Sequence, residues 1–354
     1  MTLSNVSPIP GPVLAPLGER WPAVMASPER HRVQVLLTVL SGPARGRYAF
    51  RPDAEYFYPA STIKVCACAA ALMMIDRLGR AGLVPGGTST RAAYPDGTRT
   101  TVHDLILRSC AISDNDAFNR LFDLAGHEAL NLAMWGLGLR SCVLNHHVGD
   151  RPAGAEARRT PRVTLGEGPD ALEIHERRSA LTPRTRGVPG LLVGRARIEG
   201  GRAADGPFDM SAKNRLSLGD LHRLVLMIAE PSAEPGLTLS PASRRLLIDA
   251  MTRFPRQCPG GDTLPDGWAK FAWAGAVRAS EGATATGKSG RAYGFTTENT
   301  ILRAPGKPTL ALTATIDTNE NGVVGDDVYE YETIASPFLA DLGELTTRWA
   351  WATV

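Results

Sequence analysis

The chain has 354 residues, which is enough to bury a sizeable core and to form two or three domains. Apolar residues make up 43% and charged residues 21%, the balance typical of a globular protein, which excludes a disordered or fibrous chain. The 39 Lys and Arg against 36 Asp and Glu leave a formal charge of +3, too small to predict nucleic acid or a membrane surface as a partner.

No apolar run reaches the roughly 18 residues that a membrane span requires. The first 17 residues lack the basic and apolar regions of a signal peptide, so the sequence as written is expected in the cytoplasm, and in the periplasm or outside the cell if a signal peptide has been removed. Five cysteines without C-x-x-C spacing indicate neither a zinc site nor a disulfide framework, and we expect them to be small buried residues. No metal or cofactor is predicted.

Residues 1–29 carry six prolines and little periodicity, so an extended N-terminal segment is expected. The apolar run 33–40, the turn at Gly42-Pro43 and the run 46–50 predict an antiparallel hairpin. From Thr62 to Leu78, small and straight-chain residues dominate, which predicts a buried helix with Ser61 at its N-terminus.

Further helices follow in the middle of the chain. Thr101-Val-His-Asp104 has the form of a capping box and predicts a helix over 102–110, and the apolar spacing predicts another over 116–125, with 111–115 as the connection. Two more helices are predicted, one from Ser217 and one over 242–254. Residues 151–209 contain eleven Arg, no Lys and many Gly and Pro, and fit no element well. This segment is interpreted as a mobile surface loop or as a lid that borders a site.

The last part of the chain changes character. Residues 293–302 and 309–316 alternate β-branched and apolar residues around a Pro-Gly turn, which predicts a second hairpin, and a final helix is predicted from Tyr331 to about Leu345. Strands from both ends of the chain would then flank a helical segment. The predicted architecture is an α/β lobe of residues 30–60 and 268–354 and a helical lobe of residues 61–267 that contains the 151–209 insert.

Three short motifs carry candidate chemistry. Ser61-Thr-Ile-Lys64 sets a hydroxyl and an amine on one helix face, where an amine of lowered pKa can take the proton of the hydroxyl. Ser113-Asp-Asn115 is a polar turn between two helices, which is either a plain N-cap or a proton-shuttling hydroxyl followed by a substrate-binding amide. Lys288-Ser289-Gly290 is predicted on an edge strand, where a cation and a hydroxyl can face a substrate carboxylate.

Together the motifs resemble S-x-x-K, S-D-N and K-T-G, the signature of class A β-lactamases and penicillin-binding proteins. The sequences of residues 58–64, 101–106 and 112–117 are also similar to those of this family. The resemblance covers residues 30–135 and 211–345. It implies the β-lactamase/transpeptidase-like fold, an antiparallel sheet with flanking helices and an inserted all-helical lobe. It also implies Ser61 as nucleophile, Lys64 as base, Ser113 as proton relay, Asn115 as a ligand of the substrate amide, and Lys288 and Ser289 as carboxylate ligands. The implied oxyanion hole consists of the N–H groups of Ser61 and Arg291, and Gly290 permits close approach of the backbone to the substrate.

One departure from this family concerns deacylation. Class A β-lactamases use a Glu followed four residues later by an Asn to orient the hydrolytic water, and no such pair follows the S-D-N motif here. The glutamates that follow the motif in this region are Glu156, Glu167, Glu173, Glu176 and Glu199, and none has an Asn four residues later.

The predicted function is that of a serine hydrolase whose Ser61 is acylated by an amide, ester or β-lactam substrate and which is weak on penicillins. A true class A β-lactamase and a non-catalytic penicillin-binding or sensor module are the alternatives. The expected partner is a small molecule or peptide with a carboxylate.

Overall fold

A computed structural model describes residues 6–84, 87, 89–149 and 155–352 of the chain. Its helices, numbered in chain order, are α1 Gly11–Arg20, α2 Pro22–Met25, α3 Lys64–Arg80, α4 Val102–Ala111, α5 Asn115–Ala125, α6 His127–Gly136, α7 Leu218–Ala229, α8 Pro241–Thr252, α9 Phe271–Ala279 and α10 Ser336–Ala352. No helix in this part of the chain combines the length and the apolarity needed to cross a membrane.

The strands are numbered in the same way. They are β1 Ser7–Pro8, β2 Gln34–Val39, β3 Gly46–Phe50, β4 Arg91–Ala93, β5 Arg99–Thr101, β6 Arg159–Thr160, β7 Val163–Leu165, β8 Leu172–Ile174, β9 Arg177–Arg178, β10 Leu192–Val193, β11 Ala196–Glu199, β12 Arg202–Asp205, β13 Phe208–Asp209, β14 Thr284–Gly287, β15 Gly290–Ala292, β16 Phe295–Arg303, β17 Leu310–Asp317 and β18 Val323–Val324. The two predicted hairpins are present as β2–β3 and β16–β17, and both are antiparallel.

The principal sheet joins both ends of the chain. Its strand order is β1-β3-β2-β17-β16-β14, with β15 also pairing with β16, and only the β1–β3 pair is parallel. One core cluster fills the space between this sheet and α1, α9 and α10, and a second is built mainly from α3 to α8. The predicted fold class is thereby confirmed, because the sheet formed by the two chain ends flanks a largely helical unit. The lobe boundaries stay a prediction.

Local capping chemistry explains where the helices near the motifs begin. The Thr101 hydroxyl accepts a hydrogen bond from the amide of Asp104 at the start of α4, as its capping-box sequence predicts. The Asp114 carboxylate accepts from the amide of Ala117 at the start of α5. This cap fixes the backbone of the Ser113-Asp-Asn115 turn relative to the first turn of α5.

Three details of the sequence prediction are wrong. The N-terminal segment is not extended, because α1 and α2 occupy much of it. Helix α1 buries Val13 and Leu17 in the core beside α10. The prolines at positions 12 and 22 lie in first turns of helices, where a missing N–H breaks no hydrogen bond. The helical lobe is not all-helical, because it includes the small sheet β5-β4-β7-β8. The 151–209 insert is not a plain loop, since its described part contains β6 to β13; residues 151–154 lie outside the described residues. Strands of two to four residues are too short to give a periodic signal.

The prediction for the cysteines is confirmed. All five are buried and free, and they lie at positions 66, 68, 110, 142 and 258.

Candidate active site

Ser61 lies in a 3₁₀ turn, Ala60–Ile63, that leads directly into α3. The predicted helix therefore begins two residues later than expected, at Lys64. The residue before Ser61 has a backbone φ of +47°, a left-handed conformation that is uncommon for alanine. Ser61 itself is half-buried and lines a cavity. The turn thus presents the Ser61 side chain at the surface of the helix start instead of in the core.

Lys64 is fully buried at the first position of α3. Its Nζ donates a hydrogen bond to the backbone oxygen of Ser113 and lies 2.7 Å from Asn115 Oδ1 and 3.2 Å from Ser113 Oγ. Burial lowers the pKa of Lys64 well below its ordinary value, and the positive charge of Lys288 lowers it further. The structure therefore brings the first two motifs together around one amine that loses its proton readily.

The Ser113 hydroxyl lies between two lysines. Its Oγ is 3.2 Å from Lys64 Nζ and 3.0 Å from Lys288 Nζ, although these residues are 49 and 175 positions away in the chain. Ser113 also has a left-handed φ of +58°, which costs on the order of 1–3 kcal/mol for a residue with a side chain. The ion pair between Arg108 and Asp114 holds the following residue. A strained backbone position that is held by its surroundings makes this turn a candidate functional site.

The third motif lies in the link between β14 and β15, at the edge of the principal sheet. Lys288 and Ser289 are both buried, and the Lys288 amide donates to the carbonyl of Asn299 on β16. The Lys288 ammonium also donates to the Ser289 carbonyl at 2.6 Å. Burial lowers the pKa of Lys288 to about 8. The motif lies at the sheet edge as predicted, but only Gly290 belongs to a strand, since Lys288 and Ser289 form the link between β14 and β15. The Lys288 amine approaches Ser113 from this link.

Gly290 lets β15 run directly against the backbone of Ser61. A Cβ atom at this position would lie 2.3 Å from the Ser61 nitrogen and 2.9 Å from its Cα, so no other residue fits without a backbone shift. The next residue, Arg291, directs its side chain to Glu332 and over the ring of Trp268, 4.8 Å from the ring centroid. What Arg291 offers at the site is therefore its backbone.

Gly290→Ala is expected to displace β15 from Ser61. The added Cβ meets main-chain atoms and not a flexible side chain, so we expect a loss of about 1–3 kcal/mol in the free energy of unfolding. We expect the rate at which Ser61 is labelled to fall by more than this loss of stability alone would cause. Urea unfolding and labelling by a fluorophosphonate measure the two effects. Gly18→Ala is the matched control, since a Cβ there meets nothing within 4 Å. Unchanged reactivity in Gly290→Ala would contradict the close approach.

A cavity of about 560 Å³ opens above Ser61, within the size range of small-molecule sites. Of the predicted site residues, Ser61, Asn115 and Arg291 line it. Lys64, Lys288, Ser289 and Gly290 are buried, and Ser113 is half-buried. Other parts of the chain complete its wall. Tyr58 belongs to the 58–64 stretch of the family resemblance, and Arg158, Arg184 and Phe208 belong to the insert that was interpreted as a loop or as a lid. The sequence gave no signal for the remaining wall residues, which include His146, His147, Lys213 and Tyr293.

The loop 145–149 forms one wall of this cavity and is held by side chains beneath it. Asn119 on α5 bonds both backbone groups of Val148, donating at 3.0 Å and accepting at 2.9 Å. The buried Asn214 does the same for His146, and His147 Nε2 lies 2.8 Å from Asp123 Oδ1. Burial lowers the pKa of His146 to about 4, so this imidazole is neutral at pH 7. The wall is thus preorganised.

None of the five glutamates considered in the sequence is among the described residues that line the cavity. Glu156 is exposed on a short 3₁₀ turn. The other four pair with surface arginines: Glu167 with Arg91, Glu173 with Arg162, Glu176 with Arg159 and Glu199 with Arg197. The described part of the cavity therefore offers no glutamate that could orient a water molecule at Ser61.

Comparisons with known proteins agree with this architecture. A model of the "Beta-lactamase enzyme family" matches residues 19–345, a range that includes the insert and extends beyond the two segments of the sequence resemblance. Among solved structures, a β-lactamase from Sphaerobacter thermophilus is 18% identical, with 97% of this chain and 96% of that chain covered and a TM-score of 0.52. A β-lactamase from Streptomyces albus G is 20% identical, with 94% and 99% covered and a TM-score of 0.53. PBP-A is 16% identical, with 98% of each chain covered and a TM-score of 0.56. No curated protein matches the sequence.

Proposed function

The chain belongs to the β-lactamase enzyme family, and on that premise we propose that it is a serine hydrolase that forms an acyl-enzyme at Ser61. The observation that carries this proposal is the Ser113 hydroxyl between the two buried amines of Lys64 and Lys288. A protein that only binds a ligand gains nothing from two desolvated lysines around one hydroxyl, because burying each of them costs free energy. Such an arrangement is useful for moving protons.

The proposed acylation uses Lys64 in its neutral form. A neutral Lys64 takes the proton of Ser61 as the Ser61 oxygen attacks the carbonyl carbon of the substrate. The proton then passes through the Ser113 hydroxyl to the leaving nitrogen or oxygen when the tetrahedral intermediate collapses. Lys288 remains charged during this step and donates to Ser113 Oγ, which orients that hydroxyl.

The proposed oxyanion hole consists of the backbone N–H groups of Ser61 and Arg291. The close approach that Gly290 allows between β15 and Ser61 supports this assignment, because two amides must converge on one developing charge. Asn115 is proposed to bind the substrate amide from the cavity side. Lys288 and Ser289 are proposed to bind a substrate carboxylate.

Deacylation separates a hydrolase of small esters or peptides from an efficient β-lactamase. We propose that this chain is weak on penicillins, because their acyl-enzyme ester needs an oriented water and a base, and the described cavity wall offers no glutamate for that role. The neutral His146 has its Nε2 engaged by the amide of Asn214. Smaller acyl groups leave space for water, and Lys64 can then return as the base by microscopic reversibility.

We expect a penicillin adduct on the protein to form and then persist, while p-nitrophenyl acetate turns over. Intact mass against time measures the first result, and steady-state hydrolysis of nitrocefin and p-nitrophenyl acetate measures the second. Four Glu→Gln variants, at positions 156, 167, 173 and 176, serve as controls. Rapid nitrocefin turnover that is lost in one of them would restore the β-lactamase alternative. Reversible binding of penicillin without any mass gain would favour the sensor alternative.

A further inference from the structure

The described walls of the cavity above Ser61 carry a net positive charge. Arg158, Arg184 and Lys213, which we call the cavity cations, all line it, and none of them pairs with a carboxylate among the described residues. The one described acid in the lining is Asp209, and its two oxygens accept from the backbone and the hydroxyl of Ser211. The described walls of the cavity therefore favour an anionic occupant.

Other arginines of the same insert behave differently. Arg159, the neighbour of Arg158, forms two hydrogen bonds of 2.8 and 2.9 Å with Glu176. Two more arginines form ion pairs with glutamates: Arg162 with Glu173 at 3.5 Å and Arg197 with Glu199 at 2.8 Å. Cations without a carboxylate partner are not confined to the cavity, because Arg178, Arg195 and Arg202 of the insert also form no ion pair among the described residues. The cavity differs from the outer surface in that three such cations line one concave site.

Lys213 is held in place by aromatic rings. Its Nζ lies 5.2 Å from the ring centroid of Phe208 and 5.1 Å from that of Tyr293, and it donates to the Tyr293 hydroxyl at 3.2 Å. The two rings stack at 6.0 Å, and Tyr58 packs edge-on against Tyr293. The result is an apolar surface with a fixed ammonium at its border.

This surface is connected to the reacting centre. Tyr293 follows β15 at a left-handed φ of +57°, two residues after Arg291, whose amide is proposed to bind the oxyanion. The rings of Tyr293 and Phe208 and the cavity cations line the same cavity as Ser61, so an acyl chain attached at Ser61 meets both kinds of surface. A short apolar chain with a terminal anion matches that combination of groups.

We propose that the cavity selects acyl donors whose acyl chain ends in a second anionic group, a carboxylate bound by Arg158, Arg184 and Lys213. This carboxylate is distinct from the one proposed for Lys288 and Ser289. The inference rests on the proposed function, because Ser61 lines the same cavity and must accept the acyl group.

The test uses two esters of glutaric acid that differ in one charge. One is mono-p-nitrophenyl glutarate, with a free terminal carboxylate, and the other is the same ester with that carboxylate capped as a methyl ester. We expect kcat/KM to be on the order of tenfold or more higher for the anionic ester at low ionic strength, and the preference to shrink as salt is added. Lys213→Gln and Arg158→Gln should each reduce this ratio on the order of tenfold, and Lys213→Arg should retain it.

Arg202→Gln is the matched control, since Arg202 is an exposed cation of the same insert outside the cavity lining, and it should leave the ratio unchanged. A ratio near one in the unmodified protein, or a preference that survives in both Lys213→Gln and Arg158→Gln, would overturn the inference. Equilibrium binding of the two esters to Ser61→Ala protein by calorimetry separates the two proposals. If neither ester is hydrolysed by unmodified protein, the proposed function fails, and the calorimetric preference alone decides whether the anion site exists.

Discussion

Ser61→Ala is expected to abolish covalent labelling of the protein by a fluorescent penicillin and by a fluorophosphonate. The substitution removes the oxygen that forms the ester, and no other serine, threonine or cysteine among the described lining residues contacts Lys64. Because Ser61 is half-buried in a surface turn, we expect the free energy of unfolding to change by about 0.5 kcal/mol or less. Intact mass spectrometry measures labelling, and urea unfolding verifies the fold.

Ser41→Ala is the control for this experiment, because Ser41 is an exposed serine in a bend outside the cavity lining. It should label at the rate of the unmodified protein. Labelling of the Ser61→Ala protein at full stoichiometry would show that the nucleophile lies elsewhere and would remove the basis of the proposed function.

Lys64→Met is expected to slow acylation of Ser61 by about 10²–10⁴-fold, the usual contribution of a positioned general base. Methionine keeps most of the apolar stem in the buried position but cannot accept a proton. Reversible binding of the ligand should change little, since the lost interaction acts chiefly in the transition state. Stopped-flow acylation against ligand concentration separates the rate from the binding constant.

A second buried lysine provides the matched control. Lys270 donates to the carbonyl oxygens of Met251 and Ala285 and makes no contact with Ser113. Lys270→Met should cost about 1–3 kcal/mol in the free energy of unfolding, because two buried acceptors lose their partner, yet leave acylation within a few-fold. An equal loss of acylation in both variants would mean that Lys64 acts through stability and not as a base.

The pH dependence gives an independent measurement of the same assignment. Burial and the charge of Lys288 lower the pKa of Lys64, so acylation should rise with pH and reach its plateau below the range in which a free lysine titrates. Lys288, with a pKa of about 8, loses its charge above that value, and affinity for a carboxylate-bearing ligand should then fall. A neutral ester should lack the falling limb. The rising limb should be lost in Lys64→Met.

Local sequence determined where the motifs would lie relative to secondary structure. Thr101 and Asp114 cap their helices with their own side chains, and a cap interacts only with residues two or three positions away. The hairpins β2–β3 and β16–β17 likewise follow from alternating runs around short turns. For this reason the positions of the helices and hairpins that carry the motifs could be predicted from single stretches of chain, and the three motifs taken together gave the family resemblance and the fold class.

The tertiary structure alone decided what surrounds the nucleophile. The Ser113 hydroxyl meets Lys288 across 175 residues, a contact that no local pattern encodes. The cavity wall comes from the loop 145–149, fixed by Asn119 and Asn214, and from an insert whose strands are too short to show a period. The prolines of the N-terminal segment indicated an extended chain, yet this segment forms helices. Its packing against α10 outweighs its weak helix propensity. The net charge of the cavity depends on which charged side chains line it, and only the folded chain determines that.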